Sequence, residues 1–198
     1  MEIIDSVEPI LLDFVKESTK HFDDSHNHVH ALQVTGNAHI IMATLMSDYD
    51  ARILSYTAML HDVCDHKYPE SIPRSELVEF IKKNLTTVDS DIIMKIIDNI
   101  SFSKENKGLT ETLPEPYNVY LMAIADADRL EAIGEVGVRR CIEFTSSHGG
   151  KVPEDVVKHC HEKLLRLLPE NFIKSKKAKE MAEPLHEVIV KYVQDNSK

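Results

Sequence analysis

Apolar residues recur along this chain with a helical period almost throughout. Ile3, Val7, Ile10 and Phe14 fall on one stripe and predict a first amphipathic helix. Leu77, Val78, Ile81 and Leu85 predict another, with Ser75 placed to cap its start. Ile92, Ile93, Ile96, Ile97 and Ile100 cover a wider arc, as a core helix does when packed on more than one side. Val157, Cys160, Leu164 and Leu168, then Leu185, Val188, Ile189 and Tyr192, continue the pattern toward the C-terminus. No run alternates apolar and polar residues between turn signals, so strands are not expected. The pattern predicts an all-α fold, a bundle of about seven or eight helices.

Breakers separate these stripes. Pro69 and Pro73 bracket one loop, KENKGLTETLPEP (104–116) reads as another, and His148-Gly149-Gly150 reads as a helix stop. Composition does not shift along the chain and no segment repeats, so 1–198 reads as a single domain. Its motifs lie within 25–140 and its C-terminal helices within 153–195. A chain of 198 residues is long enough for a real core.

Composition narrows the function classes. Hydrophobic residues at 42% and charged residues at 28% are ordinary for a soluble globular protein. No apolar run approaches the roughly 20 residues that span a bilayer, so no membrane partner is expected. The opening MEIIDSVEPILLDF carries acids where a targeting peptide carries basic residues, which argues against export. Cys64, Cys141 and Cys160 form no CxxC pair and point to a reducing compartment, so the expected location is cytoplasmic. A net charge of −10 argues against polymeric nucleic acid. It leaves room for a small anionic substrate at a site with local cations or a metal. Lys174, Lys176, Lys177 and Lys179 read as a solvated face.

Eleven histidines are unusual, and their placement is informative. In AMLHDVCDHKY (58–68) an apolar run ends in the adjacent pair His61-Asp62. Imidazole and carboxylate side by side suit a borderline divalent metal, although two ligands alone make a weak site. Upstream, SHNHVHALQV (25–34) places His26 and His30 on one helix face if the helix begins this early, with His28 directed elsewhere. Downstream, AIADADRLEAIGEVGVRR (123–140) sets Asp126 and Asp128 in an otherwise apolar helix, where an uncompensated carboxylate is costly to bury. On a helix Asp65 would share the face of His61, about 40° round, which makes it a candidate for orienting a water or moving its proton, or else a partner of Lys67. Lys67 and Arg129 are cations beside these motifs. Tyr68, Phe102 and Tyr117 are aromatic residues near these motifs, suited to core packing or to stacking on a flat ligand. Cys64 reads as a packed thiol.

The order H…HD…D resembles the HD superfamily of metal-dependent phosphohydrolases. SHNHVHALQV is similar to that family's SHDxxHxxRV segment, LHDVCDHKY to LLHDxxDxKY, and ISFS (100–103) to its ISF segment. DADRLEAIGEVGVRR is similar to DADRLDAIGxxGxxR. The resemblance is to the branch of small stand-alone hydrolases that includes nucleotide pyrophosphohydrolases. It implies an HD-type helical bundle with one divalent metal per site, manganese first and Mg, Co, Fe, Ni or Zn as alternatives. The ligands it implies are His30, His61, Asp62 and Asp128. Asp128 is chosen over Asp126 because ADRLEA fits the form AD-x-x-[DE]-A, which leaves Asp126 a supporting or structural role. His26 then orients His30, binds substrate or packs the helix start. The implied catalytic set is Asp65, Lys67 and His26, with Lys67, Arg129 and Tyr68 for the substrate. Asn27 stands where the family usually has Asp, and Gln33 where it often has Arg.

The implied reaction is hydrolysis of a nucleoside or deoxynucleoside triphosphate to monophosphate and pyrophosphate, by a monomer or homodimer. A 5′-nucleotidase or phosphodiesterase would use the same metal site. A metal-binding regulatory domain without turnover is the alternative from another class.

Overall fold

The computed structural model describes residues 7–23, 26–85 and 87–197; the side chains of 87–89 are not described. Ile3 of the first stripe and Ser25 of the histidine motif lie outside the described residues. Among the described residues there are ten α-helices and no strand, somewhat more helices than the periodicity suggests. They are α1 (Pro9–Ser18), α2 (His28–Leu45), α3 (Ala51–Leu60), α4 (Arg74–Asn84), α5 (Thr87–Ile97), α6 (Phe102–Asn106), α7 (Tyr117–Glu131), α8 (Gly134–Ser147), α9 (Glu154–Glu162) and α10 (Lys176–Asn196). A 3-10 turn occupies Leu164–Arg166. The chain divides into two compact units, Met1–Ala125 and Asp126–Lys198. The boundary falls inside α7, where the sequence shows no shift in composition.

The first unit is built around α3. Every residue from Ile53 to Leu60 is buried, an all-round burial that only a central helix has. Asp50 starts this helix by accepting the N–H groups of Arg52 and Ile53 at 2.9 and 3.1 Å. α2, α5 and α1 pack against α3, and α4 packs on α5. Each large apolar side chain buried there contributes roughly 1.5–3 kcal/mol.

Three local expectations are corrected. Ile10 is 49% exposed, and Leu11 and Val15 are the buried residues of α1, which Pro9 opens. α4 begins at Arg74 with Pro73 as its N-cap, so Ser75 is already inside the helix. α6 takes Lys104–Asn106 out of the expected loop, capped by Ser101, whose hydroxyl accepts from the Lys104 N–H.

In the second unit α10 packs on α8 and α9, and α9 adjoins the 3-10 turn. The glycines of AIGEVGVRR have a steric basis. Gly134 has φ +78°, and a Cβ at Gly137 would lie 2.2 Å from the Ala132 carbonyl oxygen. The turn from α7 into α8 is therefore too tight for any side chain at Gly137.

Candidate metal centre

The end of α3 makes the site in the first unit. The helix stops at Leu60, and His61 is its C-cap with φ −61° and ψ −30°. Successive turns follow, with the Asp65 N–H donating to the Asp62 carbonyl at 2.9 Å and the Tyr68 N–H to the Asp65 carbonyl at 3.1 Å. The Asp65 side chain closes its own turn by accepting the Lys67 N–H at 3.0 Å. Asp65 therefore does not share a helix face with His61, as the spacing suggests; a turn places it instead.

His30 comes from the first turn of α2, which Asn27 caps by accepting the N–H groups of Val29 and His30 at 2.8 and 3.3 Å. Asn27, the apparent departure from the acidic pattern, thus has a structural job suited to an amide. The His30 and His61 ring centroids lie 5.4 Å apart. His61 Nε2 is 3.1 Å from Asp62 Oδ2, and His30 Nε2 is 3.6 Å from the same oxygen. His61 Nδ1 lies 2.7 Å from the Ala58 carbonyl oxygen, which can only accept. Nδ1 therefore bears the proton, and in the neutral imidazole Nε2 is the electron-pair donor.

One donor atom from each of His30, His61 and Asp62 falls within 4.8 Å of the others. Two imidazoles and a carboxylate, one imidazole held by a carbonyl, are a donor set that could hold a borderline divalent cation. Asp128 is half-buried on α7, in the second unit. His28 is not part of the donor group, in line with its direction on the helix.

Beside the donors lies a second polar cluster. Asp65 Oδ2 is 3.1 Å from the Lys67 ammonium and 3.9 Å from His26 Nε2. The carboxylate is nearly enclosed, at 10% exposure, whereas the lysine is 55% exposed. His26 Nδ1 hydrogen-bonds the Tyr68 hydroxyl at 2.8 Å. Burial pulls the His26 imidazole below its ordinary value, against the opposing pull of Asp62. Burial likewise pushes the Tyr68 phenol up, helped by its hydrogen bond to Asp23.

Tyr68 stacks on Phe22 with centroids 4.1 Å apart, so one face of its ring is already taken. Phe22 and Asp23 sit in the polar stretch before the histidine motif, where no periodic signal singles them out.

Arg129, the other cation offered for the substrate, has partners in the second unit. It is buried, its guanidinium donates to the Phe172 carbonyl, and it stands 6.0 Å over the Phe172 ring. Asp126 is fully buried and accepts the backbone N–H groups of Lys174 and Ser175 at 2.8 and 2.7 Å. Burial raises its carboxyl above the ordinary value, while its hydrogen bonds with Ser175 pull the other way. Of the remaining cations, Lys104 donates to the Asp98 carbonyl at 3.0 Å and Arg140 lies 3.7 Å from Glu131 Oε2.

No protein-family model matches the chain. The chain is 30% identical over 158 residues to YpgQ of Bacillus subtilis, covering 75% of itself and 73% of that protein. Solved structures repeat the fold. A Lactobacillus plantarum protein superposes with TM-score 0.80 at 22% identity, over 95% of this chain and 93% of that one. YpgQ in complex with ADP superposes at 0.72 and 24% identity, over 98% and 95% of the two chains. An HD-superfamily hydrolase of Bacillus thuringiensis superposes at 0.67 and 21% identity, over 95% and 93%. Among the described residues no helix is long and apolar enough to cross a membrane.

Proposed function

The chain belongs to the HD superfamily of metal-dependent hydrolases, and from that premise we propose that it hydrolyses nucleoside or deoxynucleoside triphosphates to monophosphate and pyrophosphate. The observation that carries the reading is the arrangement at the end of α3. His61 and Asp62 stand in one run of turns with a lysine whose ammonium is tethered by a nearly enclosed carboxylate, and α2 adds His30 to the donor set. The ADP bound by YpgQ supports a nucleotide as the substrate class.

His30, His61 and Asp62 would hold the cation, with Asp128 as the fourth ligand. A divalent cation bound there, manganese in the first instance, supplies an acidified water and neutralises phosphoryl charge. The chain's own groups do the rest.

Asp65 Oδ2 takes up or orients the proton of the attacking water. Lys67 Nζ binds a phosphoryl oxygen from its exposed position. His26, held through Nδ1 by the Tyr68 hydroxyl, stands beside Asp65 with Nε2 3.9 Å from Oδ2 and helps to enclose that carboxylate. Tyr68 acts here through its hydroxyl, since Phe22 occupies one ring face.

Product analysis tests this. Protein in Mn²⁺ is incubated with mono- and triphosphates of the common nucleosides and deoxynucleosides, and phosphate and pyrophosphate are assayed separately. Pyrophosphate plus monophosphate, lost in His61→Ala and Asp62→Ala, is the expected result. Phosphate alone would replace this reading with a phosphomonoesterase. Silence across the panel would remove the triphosphate claim.

A further inference from the structure

We propose that Asp126 and Arg129 are positioning residues that grip the segment 172–175 and thereby fix the rotational setting of the last turn of α7, on which Asp128 stands. The inference rests on the reading of Asp128 as a metal ligand.

Both residues are ionisable and almost wholly buried, Asp126 at 0% and Arg129 at 2% exposure. Such groups are costly to bury, and an apolar pair would hold two segments together at least as well. What they add is direction. Asp126 uses both oxygens on consecutive N–H groups, Lys174 at 2.8 Å and Ser175 at 2.7 Å. Arg129 takes the Phe172 carbonyl from the same segment. The segment is itself anchored, because Ser175 caps α10 by accepting the Ala178 N–H at 3.2 Å.

Residues three apart on a helix lie about 60° apart, so Asp126 and Arg129 share one face. Asp128 lies about 160° from Asp126 and about 100° from Arg129, on a different face. The grip is therefore separate from the ligand atom, yet it sets where that atom points. Three directional hydrogen bonds on one face forbid the small helix rotations that apolar packing tolerates. A ligand carboxylate displaced by a fraction of an ångström loses metal affinity, and supporting contacts of this kind are worth about 10- to 100-fold.

Asp126→Asn is nearly isosteric but turns one acceptor oxygen into an NH₂ group that faces an N–H donor. Mn²⁺ is titrated into metal-free protein by calorimetry, alongside Arg129→Lys and Asp128→Asn, with thermal melts of the metal-free forms. The expected result is a Mn²⁺ Kd raised about 10- to 100-fold in Asp126→Asn, with Arg129→Lys shifted in the same direction. Metal binding should be lost in Asp128→Asn. A lowered melting temperature in Asp126→Asn and Arg129→Lys with unchanged Kd would reduce the grip to plain packing and overturn the proposal. If Asp126→Asn does not fold, the Kd of Arg129→Lys decides. Unchanged Mn²⁺ affinity in Asp128→Asn would remove Asp128 from the ligand set, and the positioning role would fall with it. Loss in Asp128→Asn but not in the other two would leave the ligand reading standing and remove only the grip.

Discussion

His30 and His39 stand on the same helix, α2, and have opposite surroundings. His39 has both ring nitrogens engaged by hydroxyls, Nδ1 with Tyr49 at 3.0 Å and Nε2 with Ser55 at 2.9 Å. His30 faces a second imidazole and a carboxylate oxygen that both rings approach. A neutral imidazole between hydroxyls is a complete hydrogen-bonded unit, since each hydroxyl can donate or accept as required. An imidazole among other electron-pair donors is a place for a cation. The two surroundings separate a histidine that ties helices together from one suited to chemistry, although the residue type and the helix are the same.

The largest expected effect comes from breaking the donor side. His61→Ala or Asp62→Ala should lower turnover at least 100-fold and abolish the rise in melting temperature that Mn²⁺ gives the wild type. That rise reflects about 2.7 kcal/mol when the metal is at 100 times its Kd. A chelator added to the wild type should reproduce the loss of turnover. Retention of the Mn²⁺-dependent shift in both variants would show that the donor set is not the metal centre.

On the other side, His39→Ala should leave kcat and KM within a few-fold of wild type and lower stability. Ser55 is buried, and both hydroxyls lose a partner, a cost of about 1–3 kcal/mol. In a chain of this length that is a fall of about 2–4 °C per kcal/mol, read from a melting curve. A His39→Ala variant as inactive as His61→Ala would erase the distinction between the two clusters.

Lys67→Met sharpens the reading of the donor side. It removes a charge 55% exposed while keeping most of the aliphatic stem. If the ammonium binds a phosphoryl oxygen, kcat/KM for a triphosphate should fall about 10- to 100-fold, the scale of a charged hydrogen bond of roughly 1.5–3 kcal/mol. Mn²⁺ affinity should stay within a few-fold. Unchanged steady-state kinetics would leave Lys67 as nothing more than the partner of Asp65.

The contrast also locates what can be read from sequence. The helical class is legible because stripes such as Leu77–Ile81 and Ile92–Ile96 are long and regular. His30, His61 and Asp62 stand out through the resemblance of SHNHVHALQV and LHDVCDHKY to segments of the HD family, since an adjacent His–Asp pair by itself is a weak signal. His39 is invisible: its partners Tyr49 and Ser55 come from a loop and from α3, and hydroxyl pairing leaves no spacing rule. Asp65 stands out in the sequence for a geometric reason that does not apply, since α3 ends before the motif and a turn brings the carboxylate in. The partner of Arg129 is not legible, because adjacency in sequence says nothing about the distant carbonyl of Phe172.

The smallest effect is one of pH, and it belongs to His39. Burial lowers its pKa from the ordinary histidine value, so the folded state resists protonation there. As pH falls past about 6.5 the unfolded chain takes up a proton at this position before the folded one does. Stability therefore rises with pH between the lowered folded value and about 6.5, and the full contribution is present above that window. His26 and His28 are shifted in the same direction, so a His39→Gln variant should keep part of this slope and lose the rest. Urea unfolding of wild type and His39→Gln across about pH 5 to 8 measures the difference. Curves that run parallel over the whole range would mean that the hydroxyls of Tyr49 and Ser55 turn to accept from the imidazolium without cost. The cluster would then be a tether indifferent to protonation, and its contrast with the donor set would rest on cation binding alone.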